Sequence, residues 1–232
     1  EIGPGRGAIT LPLLAAGGSL DVIEIDRDLA RELPALVNSP LCTVHGANAL
    51  RFDFRQLATA GERLRLAANL PYNISTPLLF HLLGQGPLFT DLHVMLQKEV
   101  GERMLASHGS KVYGRLTISI ALRCAVARLF TIQPGSFRPP PQVESVFLRL
   151  TPHAIPLADA GTLAVADRLV AQAFTMRRKR LSNGLRGLLT PDEIRSAGLD
   201  DGARPEELPP EAWLRLAAVK PALANGAAPL AE

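Results

Sequence analysis

Two runs of residues in this sequence have the types and spacing to do chemistry. The first, Glu1-Ile2-Gly3-Pro4-Gly5-Arg6-Gly7, is a glycine-rich turn, and Glu24 follows it at the end of the alternating run 20–25. Glycines let a backbone come close to a ligand, and a carboxylate about 20 residues further on can accept hydrogen bonds from both ribose hydroxyls of an adenosine-containing cofactor. The same glycines serve a purely structural turn equally well. Pro4 within the turn and the lack of a Lys-Ser or Lys-Thr pair disfavour a nucleoside triphosphate.

The second run, Asn69-Leu70-Pro71-Tyr72, follows the short apolar stretch 64–68. In a parallel sheet it projects from the carboxyl end of a strand, where such folds bind ligands. The exocyclic amine of adenine is a poor nucleophile because its lone pair is delocalised into the ring. Two acceptors, the Asn69 side-chain oxygen and the Leu70 main-chain carbonyl, can take its two N–H bonds and favour a pyramidal nitrogen with an available lone pair. Pro71 stiffens the turn, and Tyr72 offers a face on which a flipped base can stack. The plainer alternative is a proline-bearing turn with a core tyrosine, against which the following Asn73-Ile74-Ser75-Thr76 weighs.

The elements that must position these runs follow from periodicity. Short apolar runs at 20–25, 41–45, 64–68, 92–96, 125–132 and 143–150 read as strands, with helical patterns between most of them. Their alternation predicts an α/β layer fold with a largely parallel sheet. Thr76-Pro77 predicts a helix over 77–83 capped by Thr76. Residues 151–161 read as a linker. Beyond it Leu163, Ala166, Leu169, Val170, Ala173 and Phe174 recur at helical spacing, Thr190-Pro191-Asp192-Glu193 is a capping box, and Gly198 stops that helix. The division is therefore a domain over 1–152 and a smaller all-helical one over 160–232, with Trp213 in its core and a frayed tail after Lys220.

Composition bounds the function. The 232 residues can bury a sizeable core, and 47% hydrophobic with 20% charged residues is ordinary globular usage. No apolar stretch has the length of a membrane span, and Cys42 and Cys124 stand alone, so a soluble, cytoplasmic protein with reduced thiols is expected. The five histidines have no ligand spacing and no metal is expected. A zinc deaminase, the other enzyme class acting on flipped adenine, needs His-x-Glu and Pro-Cys-x-x-Cys, which are absent.

Taken in order, EIGPGRGAIT, DVIEIDRDLA, NLPYNISTPLLFHLL, VMLQKEVGERM, YGRLT, SFRPPPQVESVFLRL and AFTMRRKRLSNGLRGL resemble the small-subunit ribosomal RNA adenine N6,N6-dimethyltransferases, relatives of the large-subunit macrolide-resistance methylases. NLPYNIS and FRPPPQVES are the most specific of these. The resemblance implies a Rossmann-like methyltransferase sheet, S-adenosylmethionine as cofactor, and two adjacent adenosines in a hairpin near the 3′ end of small-subunit rRNA as substrate. It implies that Glu1, Gly3 and Gly5 line the cofactor, that Glu24 binds its ribose, and that Asn48, where the family has an aspartate, accepts from its adenine amine without a charge. Asn69 then serves both cofactor and target amine, Leu70, Pro71 and Tyr72 complete the pocket, and Phe137 is the second aromatic around the target base. The family also carries a front segment, with a Gln-Asn-Phe-Leu lid and the first strand of the sheet, that this sequence does not include.

Charge is segregated. Residues 1–97 sum to −2, residues 98–149 to +5, and Arg177, Arg178, Lys179, Arg180 and Arg186 form a basic island, against a total of only +3. With the resemblance, Lys98, Arg103, Lys111, Arg115, Arg138, Arg177, Arg178, Lys179 and Arg180 are the expected contacts to an RNA backbone. The expected partner is small-subunit rRNA within the immature small ribosomal subunit, met by a monomer. The alternatives are an assembly checkpoint factor with weak or no catalysis, and a large-subunit rRNA methylase.

Overall fold

The structure is a computed structural model describing residues 1–59, 61–138 and 140–226. Contacts divide the chain into two units, Glu1–Lys98 with Ala127–Pro152, and Glu99–Val126 with the residues from His153 onward.

The first unit is built on a sheet of six strands, β1 (Leu20–Glu24), β2 (Cys42–Gly46), β3 (Leu64–Asn69), β4 (Phe89–Gln97), β5 (Cys124–Ile132) and β6 (Ser145–Pro152). β1 pairs with β2 and β3 with β4, both in parallel. Ile2 joins the two pairs, bridging in parallel to Ile23 on one side and Ala68 on the other. The order is thus β2-β1-Ile2-β3-β4-β6-β5. The pairings among β1, β2, Ile2, β3 and β4 are parallel, as expected, and β6 is the exception. β6 runs antiparallel to β4, with Gln97 opposite Ser145 and Leu92 opposite Leu150. A parallel neighbour needs a crossover, and the chain between β5 and β6 has only a 3-10 turn, Pro134–Ser136.

Alternation decides which side of each strand is buried. Leu66 and Ala68, Leu92, Val94 and Leu96, and Val146, Leu148 and Leu150 are all buried, as are Leu78, Leu79 and Leu82 of helix α3 (Ser75–Leu83). At the other edge α1 (Thr10–Ala15) and α2 (Arg27–Val37) cover β1 and β2, where Val22, Leu33 and Val37 form a small core joined by Leu14 and Val44. α2 starts where Asp26 Oδ1 accepts from the N–H groups of Asp28 and Leu29. α3 begins before the expected Thr76 cap, because Ser75 Oγ donates to Tyr72 O (3.1 Å) and draws Ser75 and Thr76 into the first turn.

The second unit is helical, with α4 (Lys98–Met104, from Glu99), α5 (Arg115–Ala121), α6 (Ala160–Phe174), α7 (Leu181–Gly184), α8 (Pro191–Ser196) and α9 (Pro210–Val219). Residues 99–126, which include the first three residues of β5, group here, a difference from the sequence-based division. Tyr113, Ile118 and Leu122 share one buried cluster with Val165, Leu169, Leu181, Ile194, Trp213 and Leu216. A buried ion pair fixes the same joint: Asp167 accepts from Ser119 Oγ and Arg123 Nη2, and Arg123 Nη1 donates to Ser119 O (2.8 Å). The Thr190–Glu193 capping box forms in both directions, and Gly198 ends α8 at φ +72. Pro221–Gly226 forms 3-10 turns where fraying was expected, and the rest of the tail, 227–232, lies outside the described residues.

Candidate active site

The expected cofactor and catalytic residues of the first unit meet at one edge of its sheet. Gly3 follows Ile2, Glu24 ends β1, Asn48 follows β2, and Asn69 ends β3. Neighbouring strands lie about 4.8 Å apart, so parallel pairing alone brings their carboxyl ends to one line. Because β6 is antiparallel to β4, its first residue, Ser145, sits at this same edge, and the segment 133–144 that carries Phe137 leads into it.

The glycine turn is shaped for close approach. Gly3 N–H donates to Ile23 O (3.0 Å), Ile23 N–H donates to Glu1 O (3.0 Å), and the chain then turns through Gly3 at φ +66, Gly5 at φ +55 and Gly7 at φ +83. Apart from its chain neighbours, a Cβ at Gly3 or Gly5 would meet no atom of the described residues within 4 Å, so the space beside these residues is open, as a bound cofactor needs. Gly5 N–H donates to Glu24 Oε2 (3.2 Å) and Asp26 N–H to Glu24 Oε1 (3.0 Å). The buried Glu24 carboxylate is held at both oxygens, and each keeps a lone pair for a ribose hydroxyl. Glu1 is also buried, with Oε2 accepting from Thr10 Oγ1 (2.6 Å), and burial raises its carboxyl above the ordinary glutamate range. Asn48 is half-buried, and its Oδ1 accepts from Leu50 N–H (3.0 Å), leaving one lone pair and the amide N–H bonds. These residues fit the adenosine end of S-adenosylmethionine.

The segment after Asn48 is held from behind by side chains the sequence did not flag. His81 Nε2 lies 2.8 Å and Gln85 Nε2 3.2 Å from Phe52 O, while Gln85 Oε1 accepts from Phe54 N–H (3.0 Å). His81 lies on α3 and Gln85 just beyond it, so the helix that follows the Pro71–Ile74 turn also secures this segment.

Next along the edge, Asn69 is exposed at the end of β3 and its side chain has no hydrogen bond among the described residues. Leu70 is buried, and its N–H donates to Met95 O (3.3 Å) while its carbonyl accepts nothing among the described residues. Two acceptors therefore stand uncommitted side by side. Pro71–Ile74 is a turn closed by Ile74 N–H to Pro71 O (3.1 Å). The half-buried Tyr72 shares a hydroxyl hydrogen bond with Ser145 Oγ (2.9 Å). Phe137 is half-buried at the end of the Pro134–Ser136 turn; Pro139 lies outside the described residues. Ser145 was invisible as a site residue, since one serine opening a strand looks like any other.

The expected RNA contacts divide between the units and have unequal surroundings. Lys98 Nζ pairs with Glu144 Oε2 (2.6 Å), and Arg103 pairs with Glu99 on the exposed face of α4 (2.8 Å). Lys111 and Arg138 are exposed, and Arg115 is half-buried at the start of α5. Arg177 of the basic island is paired with an acid from outside it. Glu206 accepts from Arg177 Nε, while Arg177 Nη1 and Nη2 donate to Lys111 O and Ser110 O. The acid comes from a 3-10 turn, Pro205–Glu207, far along the sequence, so no local charge count finds it. Arg178, Lys179 and Arg180 are exposed, with no side-chain partner among the described residues. No group of three or more His, Cys, Asp or Glu that could hold a metal occurs among the described residues.

Comparison with known proteins gives the family. The family model described as ribosomal RNA adenine dimethylase matches residues 1–221. The chain is 49% identical over 217 residues to ribosomal RNA small subunit methyltransferase A of Nitrosococcus oceani, covering 93% of this chain and 82% of that protein. It is 48% identical over 218 residues to the protein of the same name from Pseudomonas aeruginosa, covering 94% and 81%. Among solved structures, a dimethyladenosine transferase from Plasmodium falciparum is similar at a TM-score of 0.77 and 27% identity, over 93% of this chain and 86% of that one. The 23S rRNA methyltransferase ErmE shares the fold at a TM-score of 0.70 and 24% identity, over 94% and 88%. The sheet is thus that of a Rossmann-like methyltransferase, and the chain belongs to the ribosomal RNA adenine dimethylase family.

Proposed function

We propose that this chain transfers methyl groups from S-adenosylmethionine to the N6 amines of two adjacent adenosines in a hairpin near the 3′ end of small-subunit rRNA, taking each to the dimethyl form. The observation that carries this reading is the pair of uncommitted acceptors, the Asn69 side chain and the Leu70 carbonyl, beside a tyrosine whose hydroxyl is already engaged. The family match and the names of its relatives support catalysis over a purely structural role in subunit assembly.

When bound, the cofactor supplies a methyl group on a sulfonium, already electrophilic. Glu24 holds the ribose hydroxyls, the Gly3–Gly5 backbone borders the open space beside them, and Asn48 accepts from the adenine amine. Tyr72 and Phe137 stack on the target base drawn out of its helix. Asn69 and Leu70 accept the two N–H bonds of the target amine, which turns its lone pair out of the ring toward the methyl. Positioning and acceptor geometry carry the rate. The new N–C bond would form as the sulfonium's S–C bond breaks and leaves a neutral thioether; no base is needed before attack, because the amine proton becomes acidic only once the methyl is attached, and it then passes to water. The second transfer needs the methylated amine to fit again, and the exposed Asn69 side leaves room for it.

The substrate in this reading is the immature small ribosomal subunit, met by a monomer in the cytoplasm; no helix among the described residues is long and apolar enough to cross a membrane. Arg103, Lys111, Arg115, Arg138, Arg178, Lys179 and Arg180 contact phosphates, giving affinity without sequence choice. The test is Asn69→Ala, assayed for methyl incorporation and for RNA binding. Methylation is expected to fall by at least about a hundredfold, as for loss of a transition-state hydrogen-bonding group, with RNA affinity within about twofold. Full turnover by the variant would overturn the assignment.

A further inference from the structure

Glu144 and Ser145 are adjacent in the chain but serve different partners. Ser145 Oγ is fully buried and meets the Tyr72 hydroxyl at 2.9 Å. Glu144 is gripped by three groups: Lys98 Nζ at Oε2 (2.6 Å), Gln133 Nε2 at Oε1 (2.5 Å) and Lys98 N–H at the main-chain carbonyl (2.9 Å). Hydrogen bonds from Lys98 first and Gln133 second hold the Glu144 carboxyl below the usual carboxylate range, so it is charged at neutral pH.

The Gln133–Glu144 bond spans eleven residues and closes the mouth of the segment that carries Phe137. That segment holds Pro134, Pro140 and Pro141, each of which narrows the conformations of the chain before closure. A short, proline-stiffened segment with fixed ends has few shapes left. Glu144 thus ties together the ends of the segment that carries Phe137, and the next residue, Ser145, holds Tyr72.

We propose that Gln133, Glu144, Ser145 and Lys98 form a clasp that sets the positions of Tyr72 and Phe137, which makes these four the positioning residues for the target adenine. The inference rests on the proposed reading of Tyr72 and Phe137 as the base-stacking pair. It also gives Lys98 a different part from an RNA phosphate contact: its ammonium pairs with Glu144 at 2.6 Å, and its place directly after β4 ties the clasp to the strand beside β3.

The clasp is tested on the full chain by Ser145→Ala, Tyr72→Phe and the double variant, with RNA hairpin and S-adenosylmethionine varied separately. Each single variant breaks the same hydroxyl pair, so each should lower kcat by about three- to tenfold, the worth of one neutral hydrogen bond. KM for the cofactor should be unchanged. The double variant should be no slower than either single one, and multiplying effects would overturn the proposal. Lys98→Met separates a clasp residue from a phosphate ligand. A clasp residue lowers kcat and leaves the salt dependence of RNA binding alone, whereas a phosphate ligand reduces that slope by about 0.9 and spares kcat.

A readout that needs no RNA keeps this distinct from the reading it rests on. The chain has two tyrosines, Tyr72 and Tyr113, so ring-labelled tyrosine gives an easily assigned spectrum. Ser145→Ala should shift or broaden the Tyr72 ring signal and leave that of Tyr113 in place. If that happens while the parent chain methylates no RNA, the clasp stands and the functional reading fails. An unmoved Tyr72 signal overturns the clasp whatever the activity.

Discussion

The main-chain N–H of Gly5 donates to Oε2 of Glu24 across nineteen residues, at 3.2 Å, binding the glycine turn to the carboxylate that ends the neighbouring strand. Turn and carboxylate are thereby one object, and the left-handed conformation of Gly3 and Gly5 holds its shape. Because no atom of the described residues beyond its chain neighbours stands within 4 Å of a Cβ at Gly3, steric conflict with them is not what such a Cβ would meet.

Gly3→Ala should therefore have two separable effects. Strain at φ +66 costs about 1–2 kcal/mol of stability, as any L-residue would there. With Gly3 lining the cofactor as proposed, the added methyl should weaken S-adenosylmethionine binding by about tenfold or more, a change of about 1.4 kcal/mol upward. Gly198→Ala is the control, at φ +72 in the second unit and equally free of neighbours. It should match the loss of stability with no change in cofactor affinity. Calorimetric titration and thermal melts on both variants check the pair.

The arginine cluster should split by partner. Arg177→Met removes its hydrogen bonds to Glu206, Ser110 O and Lys111 O and should cost about 1–2 kcal/mol in urea unfolding, discounted for partial exposure. Its RNA affinity should keep the parent's salt slope. Replacing Arg178, Lys179 and Arg180 together by Ala should leave stability within about 0.5 kcal/mol. It should flatten the salt dependence of RNA binding by about 0.9 for each phosphate that these side chains no longer neutralise. The reverse pattern would make Arg177 the phosphate ligand.

Burial pushes the Cys124 thiol up to about 12, with Arg123 only partly opposing it. The fold favours the protonated thiol, so this contribution is whole below the unfolded thiol's pKa of about 8.5 and is lost as pH rises toward the folded value. Native protein at pH 8 should leave Cys124 unalkylated while the half-buried Cys42 reacts slowly, and both should react in urea. The fall in unfolding free energy from pH 7.5 to 10 should be smaller in Cys124→Ala than in the parent. Equal alkylation of both thiols in native protein would contradict the burial argument.

Much of the sheet edge was legible in sequence because its signals are local. Three glycines, a carboxylate after an alternating run, and Asn-Leu-Pro-Tyr after a short strand each declare their own conformation, and parallel pairing does the rest. What stayed hidden depends on partners distant in sequence. Glu206 reaches Arg177 over 29 residues, Ser145 reaches Tyr72 over 73, and Glu144 reaches Lys98 over 46. The antiparallel β6 was missed because its apolar run looks the same in either direction. Residues 99–126 were read as part of the sheet domain because the composition changes only after Leu150, whereas Tyr113, Ile118 and Leu122 pack among the C-terminal helices.

The central claim is methyl transfer to adenine N6 on small-subunit rRNA. It is tested most directly by incubating the protein with undermethylated small subunits and isotopically labelled S-adenosylmethionine, then digesting the rRNA and identifying the labelled nucleosides by mass spectrometry. The account predicts N6,N6-dimethyladenosine at two adjacent positions of one hairpin near the 3′ end, and none with Asn69→Ala. Label on another base, on ribose, or on large-subunit rRNA alone, or no label at all, would contradict it.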